Sequence, residues 1–394
     1  TGAKTIVRIT RGVATTGESN VAIGDQALVS TTSGINNVSI GVYSSAANTT
    51  GTRNVAIGYG AYQAATTGGY NIAIGYETLN SGVTTGDSNV CIGNEAGKRI
   101  TSGTHNTCIG YKAGNAVTTI GGSVLIGRNA GLVITTGEKN IAVGESTLFS
   151  TTTGYFNLAL GLASGYGITT GIGNICIGHE AVAGNSTCTG GYNIGMGKYA
   201  LRNVTSSSNN IAIGENALED VTAQAGNNVG IGPNTGKQLA GTGDQSSYNT
   251  MIGYNAGSGA HTAAQRNTWI GFGVQTGTEQ PYYQTFVGMY SGGNHYGSGS
   301  VAIGYSTLAE GAGANNVSIG PRNSNGGGGN NTASAIMIGS DITNSTSNRV
   351  AIGNSSSYIY ADFNSSASWT HSSDERMKKD IANSTLGLSF INNL

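Results

Sequence analysis

A short apolar strand that ends in glycine recurs twenty times along this chain of 394 residues, most often as Asn-Val-Ala-Ile-Gly. Most successive repeat glycines are 17 residues apart, and the extreme steps are 14 and 21 residues. So short and regular a period is typical of a solenoid, in which each repeat is one coil that buries its apolar side only by stacking on its neighbours. The repeat glycines are Gly24, Gly41, Gly58, Gly75, Gly93, Gly110, Gly127, Gly144, Gly161, Gly178, Gly197, Gly214, Gly232, Gly253, Gly271, Gly288, Gly304, Gly320, Gly339 and Gly353.

Two positions of the repeat are apolar almost throughout. With the glycine as position 0, position −1 is Ile, Val, Leu or Met, and position −3 is Val, Ile, Leu or Thr. Because strand side chains alternate between faces, we expect both positions to point into the coil's own core. The sequence therefore predicts an all-β fold, a parallel β-solenoid (β-roll) with coils of about 17 residues. About 20 such coils at roughly 4.8 Å each give a rod of about 90 Å.

Position −2, on the opposite face, is Ala, Ser, Cys or Gly in fifteen repeats. A strand that is covered on both faces lacks the usual polar alternation, so we expect another chain to pack closely against this face. The sequence thus predicts an oligomer with position −2 near the shared axis. The residues predicted to pack there are Ala22, Ala56, Ala73, Cys91, Cys108, Ala142, Ala159, Cys176 and Ala212.

Position −4 is asparagine in fifteen repeats, as in Asn20, Asn37 and Asn54. Asparagine tolerates left-handed backbone and bonds the neighbouring main chain, so it suits the corner where the coil enters the strand. Stacked coils are expected to align these amides into a ladder. Glycine in the preceding Thr-Thr-Gly segments is expected to form the turn at the other end of the coil.

Composition excludes several classes of function. Only 9% of the residues are charged and the net charge is −1, so no basic stripe is available for nucleic acid or for a membrane surface. No apolar run is long enough for a membrane span. The four cysteines and five histidines have no metal-ligand or triad spacing, so we expect no metal and no cofactor. Cys91, Cys108 and Cys176 take the position that alanine usually fills and are expected to be small buried residues, Cys188 is alone in a loop, and the histidines are expected to be solvated loop residues. Acidic residues are too scattered to nominate a hydrolytic pair, so no enzyme is expected. The ligand-binding residues stay unassigned.

The repeat becomes bulkier at position −2 from Gly253 onward, with Met251, Trp269, Phe286 and Met337, and Leu125 is the only earlier case. One interpretation is that the same rod continues with larger residues filling a wider axis. The other is an exposed binding region, since aromatic clusters can stack on sugar rings. That region would contain Tyr282, Tyr283, Tyr290, His295 and Tyr296.

The repeat ends after Gly353 and the chain changes character. The segment 358–363 alternates like a terminal strand, and the charged segment that follows Ser373 is helix-like. We therefore divide the chain into a lead-in (1–19), a β-solenoid shaft (20–353), a terminal strand and linker (354–371) and a C-terminal segment (372–394) with a short helix. Since the chain opens without methionine, we also expect it to be a fragment or a processed product.

Two families resemble parts of this sequence. The Asn-Val-Ala-Ile-Gly coils between residues 20 and 353 resemble the heads of bacterial trimeric autotransporter adhesins, which are left-handed parallel β-rolls assembled three-fold. This resemblance implies a homotrimer. The segment Ser373-Asp374-Glu375-Arg376-Met377-Lys378-Lys379-Asp380-Ile381 resembles the start of the self-cleaving intramolecular chaperone of phage endosialidases, tail spikes and tail fibres.

The chaperone resemblance implies autoproteolysis beside Ser373, next to Asp374, with Ser373 as nucleophile and Lys378 as general base. Met377 replaces the leucine usual in that family, and the family's domain continues beyond what this chain contains, so we expect the cleavage machinery to be incomplete in this chain. The sequence thus predicts a structural trimeric fibre of a phage or other viral tail or surface appendage, used in host attachment through a surface glycan or protein receptor. The alternative is a bacterial trimeric surface adhesin head, located on the cell surface, that binds host matrix or glycan.

Overall fold

The computed structural model describes residues 7–8, 17–80, 82–184, 187–221, 225–239, 246–259, 263–277, 282–295, 297–308, 310–311, 313–326, 332–364 and 369–372. These residues form a parallel β-solenoid of about 18 turns with coils of about 17 residues, and no α-helix occurs among them. Each of the twenty repeat glycines follows a strand directly or lies inside one, so the predicted strand positions are confirmed.

The strands are short and evenly spaced. They are β1 (Val7–Arg8), β2 (Val21–Ile23), β3 (Val38–Ile40), β4 (Val55–Ile57), β5 (Ile72–Ile74), β6 (Val90–Ile92), β7 (Thr107–Ile109), β8 (Val124–Ile126), β9 (Ile141–Val143), β10 (Leu158–Leu160), β11 (Ile175–Ile177), β12 (Ile194–Met196), β13 (Ile211–Ile213), β14 (Val229–Ile231), β15 (Thr250–Ile252), β16 (Thr268–Ile270), β17 (Thr285–Val287), β18 (Asn294–His295), β19 (Val301–Ile303), β20 (Glu310–Gly311), β21 (Val317–Ile319), β22 (Ile336–Ser340), β23 (Arg349–Asn354), β24 (Ser357–Asp362) and β25 (Trp369–Ser372).

Equivalent residues stack directly on one another along the rod. In β4 and β5, for example, Ala56 pairs with Ala73 and Ile57 with Ile74. The repeat glycine maintains this close stacking, because its φ lies in the positive region that side chains avoid. A Cβ on Gly110, whose φ is 127°, would lie 2.7 Å from the carbonyl oxygen of Gly127 in the next coil. Glycine recurs because no other residue fits this column.

Antiparallel strands cover both ends of the parallel ladder. β1 pairs antiparallel with β2, and β24 pairs antiparallel with β23 and with β25. The strand predicted from the alternation at 358–363 corresponds to β24. Such end strands occupy the unpaired backbone groups that an exposed ladder edge would offer to other chains.

The two faces of the repeat strand are the reverse of the prediction. Position −2 points into the coil's own interior: Ala56, Ala73 and Cys91 are fully buried within a single chain. Positions −3 and −1 point outward and are partly exposed, as the pattern of β4 shows. The narrow interior of one coil therefore accounts for the small residues at position −2. Contact with a neighbouring chain is not needed to explain them.

The interior is filled by matching position −2 with position +4 on the return segment. Ala142 in β9 is followed by the buried Leu148, whereas Leu125 in β8 is followed by Gly131. A Cβ on Gly131 would lie 2.8 Å from Cδ2 of Leu125, so glycine leaves the space that the larger side chain occupies. Where both positions are glycine, as in Gly230 and Gly236, side chains of the adjacent coils fill the space: a Cβ on Gly236 would lie 2.7 Å from Cδ2 of Leu218 and 2.8 Å from Cε of Met251. Close packing is thus reached within single coils and between neighbouring ones.

Glycine on the return segment also makes room in the bulky repeats: a Cβ on Gly257 would lie 2.7 Å from Sδ of Met251 and 2.6 Å from Cε3 of Trp269 in the next coil. Met251, Trp269, Phe286 and Met337 are all fully buried in the coil interior. The ring of Phe286 lies where a side chain on Gly292 would be, and Trp269 also donates from Nε1 to Oε1 of Gln284 at 3.2 Å. The rod therefore continues with larger core residues, although these fill the coil and not a trimer axis.

The asparagine ladder is confirmed. Asn157 donates from Nδ2 to the carbonyl oxygen of Gly171 at 2.9 Å, and its Oδ1 accepts from the backbone N–H of Asn174 at 2.9 Å. The pattern repeats in coil after coil, and the left-handed residue is the one before asparagine, such as Phe156 with φ 57°. Ser123 takes the ladder position in one coil and accepts from the N–H of Asn140 at 3.2 Å.

Replacing Asn157 with Leu is expected to reduce local stability by about 2–5 kcal/mol, because buried donors and acceptors on both adjacent coils lose their partner. The thermal unfolding midpoint, followed by circular dichroism, measures this loss. Asn157→Ser is the matched control, since Ser123 shows that a hydroxyl is accepted in the ladder. Equal midpoints for the Leu and Ser variants would mean that the amide bonds add no stability.

Candidate functional site

The largest candidate site is an apolar surface that runs the length of the rod. It consists of positions −3 and −1 of the repeat strands, and we call it the Val/Ile face. Its side chains are partly exposed in a single chain, and the most exposed include Ile141 at 40%, Val143 at 36% and Ile303 at 41%. The face is roughly 90 Å long and about 10 Å wide, estimated from strand spacing. It exceeds the few hundred Å² of contiguous apolar surface that a monomeric protein usually exposes.

One edge of the Val/Ile face is formed by position −5, which we call the entry edge. Its residues have left-handed backbone, yet several are aromatic and more than half exposed, such as Tyr70, Phe156 and Tyr283. Cations stack beside these rings: the Lys139 ammonium lies 5.2 Å from the centre of the Phe156 ring. Arg266 also donates from Nη1 to the hydroxyl of Tyr283 at 3.0 Å, so contacts within the chain line these side chains up along the edge.

A shallow hollow of about 360 Å³ opens at the entry edge. It is lined by Thr136, Glu138, Lys139, Tyr155 and Phe156. The two aromatic rings meet edge to face with centroids 5.3 Å apart. The hollow therefore offers an apolar wall with one positive and one negative side chain at its rim.

The other edge is formed by position +1, which we call the exit edge. Tyr59 and Tyr76 stack there with centroids 5.5 Å apart, and Tyr254 stacks on Phe272 at 5.3 Å. These rings are each more than two-fifths exposed. Both edges thus present aromatic side chains beside the apolar face.

The residues predicted to pack at a trimer axis lie elsewhere. Within one chain they are buried in the coil interior, where no partner can reach them, because the strand's outward side carries positions −3 and −1. This placement corrects the prediction for Ala22, Ala56, Ala73, Cys91, Cys108, Ala142, Ala159, Cys176 and Ala212.

The predicted aromatic binding region does not form one exposed cluster. Tyr283 lies on the entry edge, Tyr290 is exposed beyond the exit edge, and His295 is fully buried. Tyr296 lies outside the described residues. The described members of this region therefore form no common surface for a sugar ring.

His295 was expected to be a solvated loop residue, but it belongs to a polar cluster inside the rod. Its Nε2 lies 3.0 Å from Oγ of Ser300, its backbone oxygen accepts from Nε2 of Gln275 at 3.1 Å, and Phe286 packs edge to face on its ring. Its Nδ1 has no hydrogen-bond partner. Desolvation by burial lowers the pKa of His295 to about 4.

His295 is expected to make folding sensitive to acid. Its folded-state pKa is below the unfolded value, so its neutral form gives full stability above about pH 6.5, and this stability is lost as the pH falls toward 4. Between pH 7 and pH 5 the loss is about 2 kcal/mol. Urea unfolding at both pH values measures it, and His295→Gln should reduce the difference. An undiminished difference in that variant would assign the acid sensitivity to other groups.

The cysteines are packing residues. Cys91, Cys108 and Cys176 are free and buried, as predicted, and Cys188 is also buried, although it was placed alone in a loop. Burial raises the pKa of the thiols of Cys91, Cys176 and Cys188, which keeps them protonated and unreactive.

Other chemistry is limited in the part of the chain that the structure describes. There, no three His, Cys, Asp or Glu side chains gather as metal ligands. The described residues also contain no helix long and apolar enough to span a bilayer. Ser373, Lys378 and Asp374, which the chaperone resemblance singled out, lie outside the described residues, as does the predicted C-terminal helix.

Sequence reasoning found the apolar positions of the face but placed them inside. The signal that could have corrected this is that a large residue at position −2 often has a glycine at position +4, which is expected only of residues that share one interior.

When the chain is compared with known proteins, no family model and no curated protein matches it.

Proposed function

We propose that this chain is the shaft of a homotrimeric structural fibre, part of a phage or other viral tail or surface appendage that attaches to a host. The observation that carries the proposal is the unbroken Val/Ile face. An enzyme needs one concave site, whereas this molecule repeats the same apolar surface at every coil. A partner that covers such a surface has to repeat with the same spacing, and another copy of the chain does so.

The number three and the viral setting come from the sequence resemblances. Trimeric adhesin heads suggest three-fold assembly of such coils, and the Ser373–Ile381 segment suggests a viral fibre chaperone that cuts the chain beside Ser373 with Lys378 as base. A chaperone would also solve a problem that the repeats create. Since adjacent coils carry nearly the same residues, chains of this type need help to start assembly in one register.

A bacterial surface adhesin head is the second candidate, because the same rod and apolar face would serve it equally well. Sequence downstream in the gene distinguishes the two: a membrane-anchor β-barrel would favour the adhesin, and a helical chaperone domain the viral fibre.

Sedimentation velocity and electron microscopy of the purified chain test the proposal. The expected particle is a trimer whose rod is about 90 Å long. A particle that stays monomeric at high protein concentration would overturn the fibre proposal. Mass spectrometry of the full-length gene product tests the autoproteolysis, which predicts a cut next to Ser373.

A further inference from the structure

The two edges of the Val/Ile face carry side chains that match within each coil. In nine coils position −5 is Arg, Lys, His, Tyr or Phe, and in all nine position +1 is also a large side chain. These are the coils of Gly58, Gly75, Gly110, Gly144, Gly161, Gly197, Gly253, Gly271 and Gly288. A bulky residue at −5 is thus always accompanied by a large one at +1, although the reverse does not hold, since Arg128, His179 and Tyr305 share their coils with a glycine at −5.

The chemistry of the two edges also matches. Lys139 on the entry edge shares its coil with Glu145 on the exit edge, and Arg266 shares its coil with Phe272. These combinations give an ion pair and a cation–π pair, two favourable contacts for exposed side chains. None of the nine coils combines two like charges.

The matching residues do not contact each other in one chain. Five residues, which include the strand, lie between positions −5 and +1, so the two positions are roughly 15–20 Å apart along the extended chain. The contacts that they do make run along each edge: the guanidinium of Arg266 lies 5.7 and 5.4 Å from the ring centres of Tyr248 and Tyr283, and Glu145 pairs with Arg128. Among the described residues no hydrogen bond, ion pair or ring contact joins the two edges of a coil. Contact between neighbouring chains would explain why residues so far apart in one chain match in size and charge.

We propose that the entry edge of each chain packs against the exit edge of the next chain, coil on equal coil, around an axis parallel to the rod. This inference rests on the proposed self-association. A rotation about such an axis keeps equal coils at equal height, and it brings the end of one chain's strand to the start of the next. The contact is therefore head-to-tail and closes into a ring, with the Val/Ile faces enclosed.

The edges also select the register that the apolar face leaves open. Every coil offers nearly the same Val/Ile surface, so a slip of one coil changes little there. At the edges, a slip one way places Lys139 against Arg128, and a slip the other way places it against Leu162. Both slips lose the ion pair with Glu145, and the first adds a repulsion.

The hollow at the entry edge fits this arrangement. Its rim carries Lys139 and its wall carries Phe156. The neighbouring chain's exit edge would bring Glu145 to the ammonium and Leu162 to the ring. A hollow that is open in one chain is thereby filled in the assembly.

Disulfide trapping tests the pairing. Lys139→Cys is combined with Glu145→Cys, with Arg128→Cys or with Leu162→Cys, and each assembled protein is oxidised and run on a denaturing gel. All four sites are on the surface, and the natural cysteines are buried. The Lys139→Cys, Glu145→Cys combination is expected to shift most chains to a covalently closed ring, because disulfides form only over Cα separations of about 4–7 Å. The other two combinations and Lys139→Cys alone should stay largely single chains.

The outcomes separate this inference from the fibre proposal. Sedimentation of the unmodified protein comes first: a monomer would overturn both. If the unmodified protein is a trimer but cross-links form best with Arg128→Cys or Leu162→Cys, the chains are staggered and the equal-coil pairing is wrong. If none of the combinations cross-links in an intact trimer, the edges do not meet and the pairing is also wrong.

Discussion

Val143→Glu is expected to leave each chain folded and to separate the chains. Val143 is 36% exposed in a single chain and lies at position −1 of β9, on the Val/Ile face. In a cyclic assembly the substitution appears in every copy, so carboxylates gather in an apolar interface without partners. Each would cost several kcal/mol, compared with the about 1–2 kcal/mol that each buried apolar side chain contributes. Sedimentation velocity should show a monomer where the unmodified protein is a trimer.

Ser150→Glu is the matched control for charge, because Ser150 lies on the return segment, away from the Val/Ile face. It should stay assembled. Val143→Thr should assemble less tightly, since threonine keeps the shape but removes apolar surface. A trimeric Val143→Glu variant with unchanged circular dichroism would exclude the Val/Ile face as the interface.

Ala142→Glu, one residue away, is expected to abolish folding of the coil. Ala142 is fully buried and stacks between Leu125 and Ala159 on adjacent strands. A glutamate there would bury an unpaired carboxylate and overfill a packed interior, at a combined cost of more than about 5 kcal/mol. Soluble yield and resistance to protease should both fall sharply.

Ala142→Ser is the control for this position, because Ser39 and Ser318 occupy it in other coils. It should fold with a loss of about 1–2 kcal/mol. Comparing Ala142→Glu with Val143→Glu therefore shows which of the two neighbouring positions lies in the coil interior and which lies between chains. A folded, monomeric Ala142→Glu protein would instead restore position −2 to the surface between chains.

The repeat made much of the fold predictable. The strand before each glycine, the stacking in register, the amide ladder through Asn157 and the buried cysteines all follow from patterns that recur in every coil. Each depends on local alternation or on identical residues meeting at a fixed period, which a sequence displays directly.

The direction of the faces could not be read from alternation alone. Alternation says that Ala142 and Val143 point to opposite sides, but which side is the interior depends on the return segment, where Leu148 leaves room only for a small partner. His295 was missed for a related reason. Its burial depends on the wide coil around Phe286, and nothing in its immediate sequence neighbours indicates that width.

The stacking of equivalent residues has a consequence for how such rods change in evolution. Each coil contacts only the coils directly before and after it. Equivalent strand pairs and asparagine hydrogen bonds join it to both neighbours. Duplicating or deleting one whole unit in the gene therefore lengthens or shortens the shaft by roughly 4.8 Å without disturbing its joints. The number of units therefore sets the length of the shaft, while the strands that cover its two ends stay the same.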